Sequence, residues 1–284
     1  MGKADLHIHT RASDGSCDSE EILRLAVEKG ISTISITDHD TIGGYLKARK
    51  AAENLPVTLI PGVEFTALHS GKEIHVLAYN FNPDDPGLKH LLGKQKLARL
   101  DRMEKILGFL RKNEGIDLTL DEIKGQAGSN NVGRPHIAQI LVKKKIVASV
   151  AEAFIRYLGT PLIEKIDVGY RRIEEIADVV GEAGGATILA HPGPLYNPDE
   201  VQELIDAGLD GLECIHPSHS FDQQKRFTEL AARQHLLVTG GSDFHGTGRE
   251  YDPYFGIVTL SDKRVKDLER ITENRKKLKM NIGS

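Results

Sequence analysis

The chain has 284 residues, 39% hydrophobic and 27% charged, which is enough for one large α/β barrel or two ordinary domains. A net charge of −4 argues against bulk nucleic-acid binding, and the absence of tryptophan argues against an extended base-stacking platform. No apolar run approaches the roughly 20 residues of a membrane helix, and no signal peptide is recognisable. Two distant cysteines, Cys17 and Cys214, indicate no disulfide framework, so we expect a cytoplasmic protein.

The first part of the chain alternates strand-like and helix-like segments. Strands are predicted at 6–10, 32–37, 57–60 and 74–79. Helices are predicted at 19–28 and 41–54, the first with Asp18 or Ser19 as its N-cap and Gly30 at its end. This order is typical of a mainly parallel sheet covered by helices.

From about Pro83 the pattern contains helices alone. They are predicted at 87–113, 120–125, 135–144 and 150–158, and Thr119 is the candidate N-cap of the second. No convincing strand lies between Asn82 and Ile166. We therefore predict a helical insertion or lid domain at 83–165, which interrupts a barrel domain formed by 1–82 and 166–284.

The alternation of helices and strands then resumes. Helices are predicted at 173–183, 198–207, 221–234 and 263–277. Strands are predicted at 187–190, 211–215, 236–240 and, as an edge strand, 255–260. The whole chain thus reads as an α/β protein whose sheet is closed or nearly closed.

Histidines and carboxylates lie in or just after six of the predicted strands. His7 and His9 are two positions apart on a strand, so both imidazoles point to the same face. The same kinds of side chain recur at Asp14, His39, Glu64, His75, His191, Asp243 and His245. One such pair is often only a polar strand face, but six strands carrying these donors favour a metal site for Zn, Mn or Fe at the carboxyl ends of a barrel.

These motifs resemble those of the PHP superfamily, which is named for DNA polymerases and histidinol phosphatases. The similar stretches follow the family's order through almost the whole chain: DLHIHT at 5–10, TDHD at 37–40, PGVE at 61–64, His75, HP at 191–192 and GSDFHG at 241–246. The resemblance implies a distorted (β/α)7 barrel, the PHP fold, with a trinuclear metal centre.

The resemblance also implies how three divalent ions would share the ligands. The first would be held by His7, His9, Glu64 and Asp243, the second by Glu64, His75 and His191, and the third by Asp14, His39 and His245. The family has either Asp or His at the position of Asp14. The oxygen ligand of this chain favours Mn or Fe, with Zn left open.

The insertion and the stretches around Arg134 and His216 resemble the stand-alone PHP phosphoesterases. That likeness implies removal of the 5′-phosphate of nucleoside 3′,5′-bisphosphates, and in some members 5′-to-3′ exonuclease action on short RNA, by a metal-bridging hydroxide. The expected partner is a nucleotide or short RNA, with no membrane and no stable protein partner.

Three other functions are compatible with the sequence. One is a phosphatase for a small non-nucleotide monoester such as histidinol phosphate, and another is a non-catalytic metal-binding module. Hydrolysis of a carbon–nitrogen bond, as in amidohydrolase barrels, is less well supported, because Glu64 stands where a bridging lysine is expected.

Two carboxylates are the candidate catalytic residues. Asp243 is expected to orient the attacking hydroxide. Asp40, or Asp38 on the other side of His39, is expected to accept a hydrogen bond from a metal-bound imidazole and so to orient it. Asp40 has an alternative role as the N-cap of the helix that follows it.

The candidate substrate contacts lie in the insertion and after a late strand. Arg134 is the expected phosphate clamp, because a guanidinium matches phosphate oxygens in a bidentate way. Of His216 and His219, we favour His216 as a phosphate contact and His219 as a helix cap. Ser129 and Asn130 are further hydrogen-bond donors, although such loop residues often only form turns.

Overall fold

The computed structural model describes residues 2–159, 166, 169–193, 195–247 and 250–282. The strands are β1 Lys3–Ile8, β2 Thr33–Ile36, β3 Thr58–His69, β4 Lys72–Tyr79, β5 Ala186–Leu189, β6 Gly211–Ile215, β7 Leu237–Gly240 and β8 Leu260–Ser261. The helices are α1 Ser19–Glu28, α2 Gly43–Ala52, α3 Pro86–Glu114, α4 Leu120–Ala127, α5 Arg134–Lys143, α6 Val150–Ala153, α7 Ile173–Glu182, α8 Pro198–Asp206, α9 Phe221–Arg233 and α10 Asp262–Ile282.

The strands form one sheet in the order β7-β6-β5-β4-β3-β2-β1-β8. Strands β1 to β3 are parallel, as are β5 to β7, whereas β4 runs antiparallel to both of its neighbours. Strand β8 pairs antiparallel with the first two residues of β1. The expected distorted (β/α)7 barrel is confirmed, with β8 as a short addition at its edge.

The barrel closes where the chain after β7 runs along β1. The Ser242 amide donates to Asp5 Oδ1 at 2.9 Å, and the His9 amide donates to the Phe244 carbonyl at 2.8 Å. Gly241 lies so close to β1 that a Cβ on it would stand 2.4 Å from the backbone nitrogen of His7. Closure of the barrel therefore brings the first and last ligand segments of the sequence together.

The first helix agrees with its prediction, because Asp18 caps α1 by accepting from the Glu21 amide at 2.8 Å. Two strand predictions are wrong in extent. The strand predicted at 57–60 continues to His69, because residues 62–69 gain antiparallel partners in β4 despite Pro61. The strand predicted at 255–260 is reduced to Leu260–Ser261, since Phe255 packs on Phe244 with ring centroids 4.5 Å apart.

Helices α3 to α6 pack around a hydrophobic cluster of their own, which includes Met103, Ile123, Ile137 and Leu158. The first turns of α3 belong instead to the barrel core. The helical insertion predicted at 83–165 stays a prediction, and residues 160–165 lie outside the described part of the chain. Among the described helices, none combines the length and apolar character needed to cross a bilayer.

The close approach at Gly241 generates a stability prediction. Gly241→Ala should lower the free energy of unfolding by about 1–3 kcal/mol, because the added methyl must push β1 away. Gly108→Ala is the matched control: it lies on the exposed side of α3 with open space at its Cβ and should stabilise by up to about 1 kcal/mol. Urea unfolding of both variants measures the difference, and equal effects would contradict the tight closure.

Candidate metal centre

The polar residues singled out in the sequence meet at one end of the barrel. Parallel strands end at the same edge, so residues that follow β1, β2, β5 and β7 come together there. Strand β4 runs the opposite way, so its first half, with His75, lies at this end as well. We call the resulting cluster of side chains the cup. The imidazoles and carboxylates of the cup that could bind metal belong to His7, His9, Asp14, His39, Glu64, His75, His191, Asp243 and His245.

Glu64 lies at the centre of the cup and is buried to 1% exposure. Five imidazole nitrogens stand 3.0–3.4 Å from its carboxylate, and they belong to His7, His9, His39, His75 and His191. Its Oε1 faces His75 and His191, and its Oε2 faces His7, His9 and His39. Burial opposes ionisation of Glu64, but these imidazoles keep the pKa of Glu64 well below its ordinary value.

Asp243 provides the second carboxylate of the cup. Its Oδ1 is 3.2 Å from Nε2 of both His7 and His9. Asp243 and His191 both have left-handed backbone angles, with φ of 52° and 29°. Such conformations are strained for residues other than glycine and cluster at functional sites. The strand ends thus turn sharply where these two side chains enter the cup.

Asp14 supplies the third carboxylate. Its Oδ1 is 3.5 Å from His245 Nε2, and its Oδ2 is 3.8 Å from His39 Nε2. The rings of His9 and His245 stack beside it with centroids 4.1 Å apart. Burial opposes ionisation of Asp14, yet His39 and His245 hold its pKa well below the usual value. The pKa of Asp243 is held low as well, against the effect of burial, by His7 and His245. Glu64, Asp14 and Asp243 are therefore all ionised.

Several buried atoms of the cup have no hydrogen-bond partner among the residues that the structure describes. These orphaned atoms are His7 Nε2, both ring nitrogens of His9, His39 Nδ1 and Asp14 Oδ1. Buried polar atoms are paired in the great majority of cases, so orphans that converge need an explanation. Imidazoles and carboxylates that face one another at these distances fit divalent metal ions, and the side chains group into clusters suitable for binding them.

Glu213 is a residue of the site that the sequence analysis missed. It lies in β6, fully buried, with Oε1 2.9 Å from His7 Nδ1 and Oε2 accepting from the His191 amide at 2.7 Å. Such a contact fixes which ring nitrogen of His7 points into the cup. The sequence could have pointed to Glu213, because it is an acidic residue inside a short apolar strand, where ionisable groups are rare.

The structure separates His216 from His219. His216 Nε2 is buried without a hydrogen-bond partner and lies 3.5 Å from Asp243 Oδ2, so this ring belongs to the cup. His219 uses both ring nitrogens internally, with Nδ1 3.0 Å from the Cys214 carbonyl and Nε2 accepting from the Gly193 amide at 3.0 Å. The helix-cap role favoured for His219 is wrong, because Ser220 caps α9. Both ring nitrogens of His219 tie two strand-end loops together, which also leaves neither of them for the alternative role of a phosphate contact.

Asp40 is buried in a network outside the cup. Its Oδ1 accepts from the Thr66 amide and from Gln95, both at 2.9 Å. Its Oδ2 accepts from Arg99 Nη2 at 2.8 Å and from the Thr66 hydroxyl at 2.9 Å. Both oxygens of Asp40 are therefore used to tie α3 to the chain beside His39, which corrects the expectation that Asp40 is catalytic.

The alternatives for the two aspartates beside His39 are also corrected. Asp40 is not an N-cap, because α2 begins after Ile42, which makes no side-chain cap bond. Asp38 accepts from the Thr10 amide and hydroxyl, both at 2.7 Å, and from the Ser13 hydroxyl at 2.6 Å. It thereby fixes the loop after β1 and does not orient an imidazole through these bonds.

The loop before α5 reaches the site through a residue that was not predicted. Asn131 Nδ2 donates to the His39 carbonyl at 2.6 Å. Ser129 bonds to the backbone of Asn131 in a turn, and Asn130 is exposed. The expected donor role of Ser129 is thus replaced by turn formation, while Asn130 has no contact that supports a role.

Arg134 is the first residue of α5 and lies next to the cup. Its Nη1 donates to the Leu158 carbonyl at 3.3 Å, and its Nη2 is 3.5 Å from Glu73 Oε1. Glu73 also pairs with Arg102 and lies 3.7 Å from His75 Nε2. Burial lowers the pKa of Arg134 to about 10, so the guanidinium stays charged near neutral pH.

Three curated relatives match most of the chain. The phosphoribosyl 1,2-cyclic phosphate 1,2-diphosphodiesterase of Eggerthella lenta is 31% identical, over 85% of this chain and 94% of the relative. The 5′-3′ exoribonuclease Rnm of Escherichia coli is 32% identical, over 85% and 84%. The 3′,5′-nucleoside bisphosphate phosphatase of Chromobacterium violaceum is 28% identical, over 87% and 89%.

A solved structure and a family profile agree with these relatives. A structure from Bifidobacterium adolescentis, assigned as a metal-dependent phosphoesterase, superimposes with a TM-score of 0.84 at 30% identity, covering 94% of this chain and 96% of that one. The PHP domain profile matches residues 5–207. The expected family and enzyme class, a phosphoric ester hydrolase, are confirmed: this chain belongs to the PHP domain family.

Proposed function

We propose that the cup holds three divalent ions in the division that the family resemblance implies. The first ion would bind to His7, His9, Glu64 and Asp243, the second to Glu64, His75 and His191, and the third to Asp14, His39 and His245. The orphaned buried nitrogens of the cup support metal binding by these side chains, and the division among three ions rests on the resemblance. The oxygen of Asp14 makes Mn or Fe the preferred metal over Zn.

The chemistry that such ions supply when bound is a water of lowered pKa and neutralisation of charge on phosphoryl oxygens. The chain's own residues position the reactants. Asp243 orients the attacking water from the wall of the cup. Ser218 donates its amide to His216 Nδ1 at 3.1 Å, which leaves the proton of a neutral ring on Nε2. His216 Nε2–H is therefore a donor available to a phosphoryl oxygen.

The substrate we propose is a nucleoside 3′,5′-bisphosphate that loses its 5′-phosphate, with short 5′-phosphorylated RNA as a second substrate. The observation that carries this proposal is Arg134, a second cationic position beside the cup that a simple monoester would leave unused. The names of the Chromobacterium violaceum and Escherichia coli relatives support it. Both cysteines described are free and buried, and we place the protein in the cytoplasm.

The proposal predicts a ranking of substrates for the Mn-loaded protein. Adenosine 3′,5′-bisphosphate should release phosphate and give 3′-AMP, with kcat/KM about tenfold or more above that for 5′-AMP, because a second phosphate adds charge-assisted hydrogen bonds. Phosphate release is measured in parallel with 3′-AMP and histidinol phosphate. Ring opening is followed with phosphoribosyl 1,2-cyclic phosphate, because opening a cyclic diester releases no phosphate. Preference for either of the last two would overturn the nucleotide substrate, and no activity with any added ion would favour a non-catalytic module.

Arg134 should matter only for substrates with two phosphates. Arg134→Ala should lower kcat/KM for the bisphosphate by about 10–100-fold and leave 5′-AMP hydrolysis nearly unchanged, because the lost contact is charge-assisted. Arg156→Ala is the matched control, since Arg156 is an exposed arginine of the same helical region that pairs with Glu152. Equal losses with both substrates would refute a role for Arg134 in binding the second phosphate.

Glu213 should control metal affinity through His7. Glu213→Gln keeps the shape but removes the negative charge beside His7 Nδ1, and metal affinity should fall about 10–100-fold. Titration of the metal-free protein with Mn²⁺ measures this, with circular dichroism to verify the fold. Glu174→Gln, which removes an exposed carboxylate paired with Arg172, should bind metal like the unmodified protein. Unchanged affinity in Glu213→Gln would show that Glu213 is only structural.

A further inference from the structure

A buried group of charges lies where the insertion helices meet the β3–β4 hairpin. It consists of Glu73 from β4, Arg102 from α3 and Arg134 from α5, and we call it the Glu73 cluster. The side chains of Glu73 and Arg102 are 11% and 4% exposed, and that of Arg134 is 20% exposed. Because water screens them little, their charges act strongly on anything bound beside them.

The cluster contains two guanidinium groups and one carboxylate. Arg102 holds Glu73 with both terminal nitrogens, with Nη1 3.2 Å from Oε1 and Nη2 in contact with Oε2. Arg134 approaches the same Oε1 at 3.5 Å. Arg99 nearby adds no net charge because it pairs with Asp40. The cluster thus carries a net charge of +1.

The Glu73 cluster lies directly beside the cup. Glu73 Oε1 is 3.7 Å from His75 Nε2, and the other nitrogen of that ring is 3.0 Å from Glu64. One imidazole ring therefore separates the cluster from the centre of the cup. Arg102 Nε is buried without a hydrogen-bond partner, and Arg134 is the member most open to solvent.

We infer that Glu73 is a specificity-determining residue, because it lowers the charge of the Glu73 cluster from +2 to +1. This rests on the proposed function and concerns how that site ranks its two substrates, the internal phosphodiester of RNA and the terminal 3′-phosphate of a bisphosphate. A net charge of +1 attracts both, but its preference for the more highly charged terminal phosphate is weaker than that of two unopposed guanidinium groups. Glu73 thereby allows the phosphodiester of an RNA chain to compete with the bisphosphate.

The charges of the two phosphate types explain this effect of Glu73. A phosphodiester carries one negative charge, whereas a terminal phosphate monoester carries about 1.5 to 2 at pH 7. A carboxylate that stays within a few ångström of a phosphate penalises the more highly charged group, and like-charge contacts of this kind are a common source of specificity. Removal of the carboxylate charge should shift the preference toward the dianion.

The test compares two substrates that differ by one charge. They are adenosine 3′,5′-bisphosphate and its 3′-methylphosphate ester, and kcat/KM for release of the 5′-phosphate is measured for each. The unmodified protein should hydrolyse both compounds faster than 5′-AMP, and its ratio of the two kcat/KM values is the reference. Glu73→Gln should shift the ratio toward the bisphosphate by about tenfold. Glu73→Asp, which keeps the charge, should retain the ratio of the unmodified protein even if its rates fall.

The matched control is Glu200→Gln, because Glu200 pairs with Lys72, the neighbour of Glu73, without contacting the two arginines. It should leave the ratio unchanged. A ratio that does not move in Glu73→Gln, or that moves equally in Glu73→Asp, would overturn the inference. Failure of the proposed function has a different signature: the unmodified protein would hydrolyse neither compound faster than 5′-AMP.

Discussion

The central constraint on this structure is the burial of one carboxylate, Glu64, among five imidazoles. An isolated charge in a protein interior is costly unless opposite charges or metal ions surround it. The five rings come from β1, the residue after β1, the end of β2, β4 and the end of β5, so one side chain depends on most of the barrel. The unusual direction of β4 is part of this requirement, because it brings His75 to the same end as the others.

A second layer of buried polar contacts holds these ligand candidates in place. Glu213 fixes the ring of His7 and the backbone of His191 at the same time. Asp40 and Arg99 form a buried ion pair that joins the helical region to the segment beside His39. The strained backbones of two residues at strand ends persist because this layer determines their positions. A contact made by α3 is thus part of the architecture of the cup.

Much of the cup could be predicted because its residues follow local rules: histidines and carboxylates at strand ends carry a signal in the sequence itself. The rest depends on partners far along the chain. The role of Glu213 appears only when β6 lies beside His7, and His219 is structural because Gly193, 26 residues away, donates to its ring. The length of β3 likewise follows from pairing with β4, which overrides the local effect of a proline.

The most direct test of the central claim is the number of metal ions bound with and without the Glu64 charge. Metal-free protein would be loaded with Mn²⁺ and analysed by elemental analysis, for the unmodified chain and for Glu64→Gln, with circular dichroism to confirm the fold. We predict three ions per chain in the first, and loss of at least the two ions that Glu64 would bridge in the second. A Glu64→Gln protein that keeps the full complement of ions would contradict a centre organised around this carboxylate.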